Sequence, residues 1–192
     1  MSVAEVEPRG ARAPGWWGMA LFIVAELTLF GTALASYLFL RFEAPTWPPP
    51  GVEQPDIVLG AIATVLLVGS SIPMVIAERG IDKGSVGRMR IGMVISIVLA
   101  VGFLAIQGYE YSAASFSWRT DAYGSLFFTI LSLHALHVIG AILIVTWLEI
   151  RSFAGHFNRE HHAAVQTGVL YWHFVDVVWI AIFIVLYVSP RF

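Results

Sequence analysis

Apolar residues fall into five blocks separated by short polar linkers: Trp16–Leu40, Ile57–Ala77, Ile91–Tyr111, Tyr123–Leu148 and Ala163–Val188. Each is about twenty residues or longer, which is the helical length needed to cross a bilayer core of ~30 Å. Inside a block the apolar positions run on continuously instead of forming one amphipathic stripe, the mark of a helix solvated by lipid. The pattern predicts an all-α, polytopic integral membrane protein, a bundle of five transmembrane helices forming one domain over residues 1–192. The first linker, Glu43 to Gly51, carries Pro45, Pro48, Pro49 and Pro50 and reads as an ordered surface loop. Pro73 lies inside the second block, where it predicts a kink with Ser70 and Ser71 available to the freed backbone groups. No internal repeat of the kind that builds many transporters is visible.

Charge assigns the sides. Arg9, Arg12, Arg79, Lys83, Arg88, Arg90, Arg151 and Arg159 fall on one side of the predicted bundle, against Arg41, Arg119 and Arg191 on the other. The excess puts the N-terminus in the cytoplasm and the C-terminus outside. Arg9 and Arg12 before an apolar run also resemble a signal peptide, but Glu26 interrupts the run and the block continues to Leu40, so an uncleaved first helix is expected. The composition agrees: 58% of residues are hydrophobic and 12% charged, unlike a water-soluble domain of this length. A net charge of −2 without a basic cluster argues against a nucleic-acid partner. The chain has no cysteine, which excludes disulfides, iron–sulfur clusters and thiolate metal sites within it.

Ionisable residues inside apolar blocks cost a few kcal/mol each unless they face a partner, so they mark contacts or function. Glu26 lies ten residues beyond Trp16, about 15 Å along a helix. His134 and His137 fall near the middle of the fourth block, and His173 and Asp176 in the fifth, so the five groups share one layer. Glu110 falls at the end of the third block, where contact with water is expected. A carboxylate with His-x-x-His and His-x-x-Asp pairs could ligate zinc, manganese or non-haem iron, but the paired Glu-x-x-His motifs of helical di-metal sites are absent. A proton relay is the second reading, although one layer conducts sideways, not across. The third is interhelical hydrogen bonding, with His134, His137, His173 and Asp176 satisfying one another and Glu26 facing a lipid headgroup or a neighbouring subunit. In the last linker, Arg151, His156, Arg159, His161 and His162 read either as a solvated loop or as a phosphate site for anionic lipid.

Order and spacing of several motifs are similar to subunit III of the haem–copper terminal oxidases, in the short five-helix bacterial form. They comprise Trp17-Gly18-Met19 through Glu26-Leu27 and Phe30-Gly31, Gln107 with Glu110-Tyr111, and Tyr123-Gly124-Ser125 with Phe127-Phe128. His134-Ala135-Leu136-His137-Val138 follows, then the run Tyr171–Trp179, which is the most specific of them. The resemblance implies a subunit of the bacterial inner (plasma) membrane with no catalytic, cofactor-binding or metal-binding residue of its own. Haem and copper are expected in partner subunits. It implies packing on oxidase subunit I, subunit II in the same complex, and phospholipid held in a cleft between helices. Glu26 matches the family's buried glutamate near that cleft, and Arg151, His156, His161 and His162 match its lipid-facing inner loop. The family also serves quinol oxidases and nitric oxide reductases; Glu26 and the Pro45–Pro49 loop look more like the cytochrome c oxidase branch. From other classes there remain a small membrane transporter, a metal-dependent membrane enzyme and an assembly factor.

Overall fold

A computed structural model describes residues 14–192. Arg9 and Arg12, used above to orient the chain, lie outside the described residues. Five helices follow one another: α1 (Pro14–Glu43), α2 (Ile57–Asp82), α3 (Val86–Ala113), α4 (Ala122–Phe153) and α5 (Ala163–Phe183), the last continued by a π-helical turn (Ile184–Val188) and a short 3₁₀ turn (Ser189–Arg191). All five are long and apolar enough to cross a membrane. Asp56 and Asp121 start two of them, their Oδ1 atoms accepting from Val58 N at 2.8 Å and Gly124 N at 2.7 Å.

Contacts between distant segments define the two ends of the bundle. At one, His162 before α5 meets Asp82 at the end of α2, and Arg90 of α3 donates to Ser152 of α4. At the other, Arg41 of α1 donates to Ser189 and Arg191 donates to the Pro55 carbonyl. The first end carries Arg79, Lys83, Arg88, Arg90, Arg151 and Arg159, the second Arg41, Arg119 and Arg191. The charge asymmetry read from the linkers therefore survives in three dimensions among the described residues.

α2 and α3 form the tightest pair, joined by a turn through Gly84 at φ +79°. A Cβ on Gly92 would lie 2.4 Å from the Pro73 carbonyl oxygen, so the two backbones touch where only glycine fits. Pro73 leaves α2 continuous from Ile57 to Asp82. Of its two serine neighbours, only Ser70 serves the helix backbone. Ser70 Oγ donates to the Leu67 carbonyl and accepts from Trp172 Nε1, while Ser71 turns to α5. α5 supplies much of the core, with Trp172 and Trp179 both buried, whereas α1 packs on one side of it. The proline-rich connection lies against the bundle through Trp47, whose ring stands edge-on to Tyr37 and Tyr123 at 5.3 Å from each.

Candidate functional site

The predicted mid-membrane layer resolves into three separate contacts. In the first, His137 Nε2 of α4 lies 3.0 Å from Glu26 Oε2 of α1. His137 Nδ1 is 2.7 Å from the Leu133 carbonyl, which can only accept, so Nδ1 carries a proton. The Glu26–His137 contact then needs one further proton, held as an imidazolium–carboxylate pair or as a carboxylic acid donating to neutral imidazole. Phe30 packs its ring 4.9 Å from His137 and screens the pair on the α1 side.

In the second, His134 is fully enclosed between Phe103 and Trp179, with Nε2 3.2 Å from the Val175 carbonyl of α5. In the third, Ser71 of α2 donates to Asp176 Oδ2 and also meets His173 Nδ1 at 2.9 Å, with the histidine 3.9 Å from the carboxylate. His173 also lines a cavity of about 310 Å³ with Trp16, Glu78 and Gln166. Of His134, His137, His173 and Asp176, expected to satisfy one another, only His173 and Asp176 lie together. His137 turns to α1, His134 to a backbone carbonyl, and the His173–Asp176 pair to α2. Glu26 has an imidazole partner within the chain. Among the described residues, no three His, Asp or Glu side chains converge as metal ligands.

The basic linker also divides. His162 pairs with Asp82 at 2.9 Å, and His161 turns to Asn158 Oδ1 at 3.3 Å. His156 Nδ1 reaches the Arg151 carbonyl at 3.3 Å, leaving its ring at the surface. Arg151 lies over the Trp147 ring, 4.8 Å from its centroid. Beside that tryptophan an apolar groove of about 770 Å³ runs between α1, α4 and α5, lined by Met19, Leu143, Trp147, Leu148, Thr167 and Gly168.

Several polar contacts of this architecture carried no sequence signal. Ser71 is an ordinary helix serine until α5 is rotated against it. Arg90 and Ser152, joined by two bonds of 2.6 Å, sit far apart in the chain. Glu110 is not at the water surface as expected: it is buried, with Tyr187 from the end of the chain donating to its Oε2 at 2.5 Å.

The arrangement defines a helical-bundle membrane protein whose interior polar groups tie helices together and whose outer apolar faces await lipid or protein. Comparison with known proteins supplies the family. The family model for cytochrome c oxidase subunit III matches residues 11–190. The chain is 36% identical over 178 residues to cytochrome c oxidase subunit 3 of Thermostichus vulcanus, covering 91% of this chain and 87% of that one. It is 34% identical over 172 residues to the Synechocystis protein of the same name, covering 89% and 74%, and 34% identical over 178 residues to that of Arabidopsis thaliana, covering 89% and 67%. The chain belongs to the cytochrome c oxidase subunit III family, and is a membrane-embedded member of a respiratory oxidoreductase complex containing other oxidase subunits.

Proposed function

We propose that this chain is the non-redox subunit III of a proton-pumping cytochrome c oxidase in a bacterial inner membrane, where it holds phospholipid and stabilises subunit I and its proton uptake. Haem and copper reside in the partner subunits, with subunit I the main contact and subunit II in the same complex. Family membership supports the assignment to an oxidase. The observation that carries the lipid role is the groove between α1, α4 and α5. It is apolar along its length, and the Arg151 guanidinium stands over Trp147, one of the residues that line it. An acyl chain suits such walls, and an interfacial arginine suits a phosphate. The charge asymmetry supports a cytoplasmic position for Arg151, His156, His161 and the α2–α3 turn. His162 contributes less to an anion site than the other three, because Asp82 already engages it.

The complex, purified through a tag on this chain in mild detergent, is expected to show haem bands and copper that both vanish when the chain is stripped from its partners. Phospholipid retained by the same preparation should fall in Arg151→Gln and be kept in Arg151→Lys. Equal lipid in all three preparations would remove Arg151 from the site, and a colourless preparation would remove the oxidase role.

A further inference from the structure

The cavity of about 310 Å³ between α1, α2 and α5 has three polar residues in its lining: Glu78 of α2, and Gln166 and His173 of α5. It begins at the end of the bundle that carries the α2–α3 turn, where Trp16 and Gln166 lie in the first turns of their helices. From there it reaches inward to His173, whose side chain is 35% exposed. Its mouth is ionic, because Asp82, His162 and Arg79 all lie within electrostatic range of Glu78. A space this polar and roomy admits water.

Behind His173 the contacts form a directed chain. Ser71 Oγ donates to Asp176 Oδ2. A hydroxyl has a single proton to give, so in its 2.9 Å contact with His173 Nδ1 the serine accepts, and Nδ1 carries the hydrogen. Nε2 is the ring nitrogen left for the cavity. The direct distance from His173 Nδ1 to Asp176 Oδ2 is 3.9 Å, beyond hydrogen-bond reach. Asp176 is 4% exposed, and its Oδ1 is enclosed without a hydrogen-bond partner. Proton exchange at this carboxylate therefore runs through Oδ2 and Ser71. The chain of contacts also stops here. Further along α5, Trp179 Nε1 donates to Thr64 Oγ1, and neither side chain ionises. On the α4 side His134 bonds the Val175 carbonyl, and His137 is taken by Glu26 of α1.

We propose that His173, Ser71 and Asp176 form a one-sided proton relay, through which Asp176 takes up a proton from the cavity and returns it by the same route. A proton entering the cavity binds His173 Nε2. The Nδ1 proton passes to Ser71 Oγ as the serine proton passes to Asp176 Oδ2. The product is a carboxylic acid donating to the serine, which in turn donates to a neutral imidazole protonated at Nε2. One proton has entered, one carboxylate charge has gone, and every hydrogen bond in the chain points the other way. With no carrier beyond Asp176, the relay stores a proton instead of conducting it across the membrane. Buried acids and imidazoles in contact are the usual parts of such relays. The relay uses residues of this chain alone and does not depend on the oxidase assignment.

The test is infrared spectroscopy of the intact complex in wild type, Asp176→Asn, Ser71→Ala, Ser71→Thr and His173→Gln. The carboxylic acid stretch that Asp176→Asn abolishes is followed after a drop in pH and after transfer to heavy water. Wild type is expected to gain the band as pH falls and to shift it in heavy water, and Ser71→Thr, which keeps the hydroxyl, should do the same. Ser71→Ala and His173→Gln should respond at least about a hundredfold more slowly, since each lacks a positioned proton carrier. Access is measured separately, in a chain with no cysteine of its own. A charged thiol reagent should label Leu170→Cys, which lines the cavity, faster than Ile76→Cys on the exposed side of α2. The proposal is overturned if Ser71→Ala or His173→Gln exchanges as fast as wild type, or if Ser71→Thr is as slow as Ser71→Ala. It is equally overturned if no band at any pH depends on Asp176, or if Leu170→Cys is labelled no faster than Ile76→Cys. Haem and copper content of the same samples reports separately on the oxidase assignment.

Discussion

α1 and α5 are both apolar enough to span a membrane, yet they occupy opposite situations. α5 buries eleven residues within twenty-one positions, including both of its tryptophans. α1 buries two in thirty, Phe30 and Tyr37. Hydrophobicity cannot account for the difference, because lipid is as good a solvent for leucine as a protein core. What separates them is the supply of groups that need a particular neighbour. In α5, Trp172 Nε1 donates to Ser70 Oγ and Trp179 Nε1 to Thr64 Oγ1, each at 2.9 Å, and Asp176 takes Ser71. Gly168 lets α4 approach, since a Cβ there would lie 2.6 Å from Leu148 Cδ1. In α1 the hydroxyls of Thr28, Thr32 and Ser36 bond to carbonyls one turn back in the same helix and hold nothing else. Within the bilayer, polar handles and close approach choose the inside helix.

The sharpest way to break this contrast is to truncate large side chains on both helices. Trp179→Ala removes a buried ring and leaves Thr64 without its indole donor, with an expected loss of about 3–5 kcal/mol. The double substitution Leu21→Ala/Val24→Ala on α1 removes exposed surface and should change the isolated chain by less than about 0.5 kcal/mol. Unfolding of the chain by denaturing detergent measures both. The same α1 double variant should release the chain more readily from the oxidase complex if this face meets a partner. Comparable losses in the isolated chain for α1 and α5 would dissolve the distinction.

Next in size is the α2 surface that receives α5 and α3. Gly92→Ala drives a methyl toward the Pro73 carbonyl, an overpacking worth about 1–3 kcal/mol. Asp176→Ala leaves Ser71 and His173 without their acceptor and should cost about 1–3 kcal/mol, whereas Asp176→Asn keeps an oxygen for Ser71 and should recover much of it. If alanine and asparagine lower the thermal midpoint of the complex equally, the Ser71 bond is not what makes Asp176 matter.

How far these features could be read from the chain follows from what sets each of them. The five spans were legible because lipid demands long apolar runs, and their edges fell short because helices continue into polar ends. Met89 and Arg90 precede the third predicted block yet lie in α3, and Glu149 to Phe153 extend α4 past the fourth. That Glu26 of α1 and His137 of α4 lie at matching levels was legible from spacing along each helix. The partners of the buried polar groups were not, because partners depend on how each helix is rotated about its axis, and packing decides that. One rotation of α5 sends Asp176 to Ser71 and His134 to the Val175 carbonyl, separating groups expected to meet. Glu110 was misjudged for the same reason: the Tyr187 that covers it arrives from the far end of the chain.

The smallest expected effect on stability falls on the one mid-membrane tie that α1 does make. Interhelical hydrogen bonds of this kind average about 0.6 kcal/mol in a bilayer, so neither Glu26→Gln nor Glu26→Ala should unfold the bundle. The two differ in what they keep. The glutamine amide can donate to His137 Nε2 and preserve the tie, but it has no proton to exchange at neutral pH. Alanine loses both the tie and the proton. If the shared proton of the Glu26–His137 pair serves the oxidase, glutamine and alanine should impair proton uptake or turnover lifetime alike. If the pair only holds α1 against α4, alanine alone should shorten the lifetime, and glutamine should behave as wild type. Proton uptake and turnover lifetime, measured on the purified complex for both substitutions, therefore decide whether α1 contributes chemistry to the oxidase or only its lipid-facing surface.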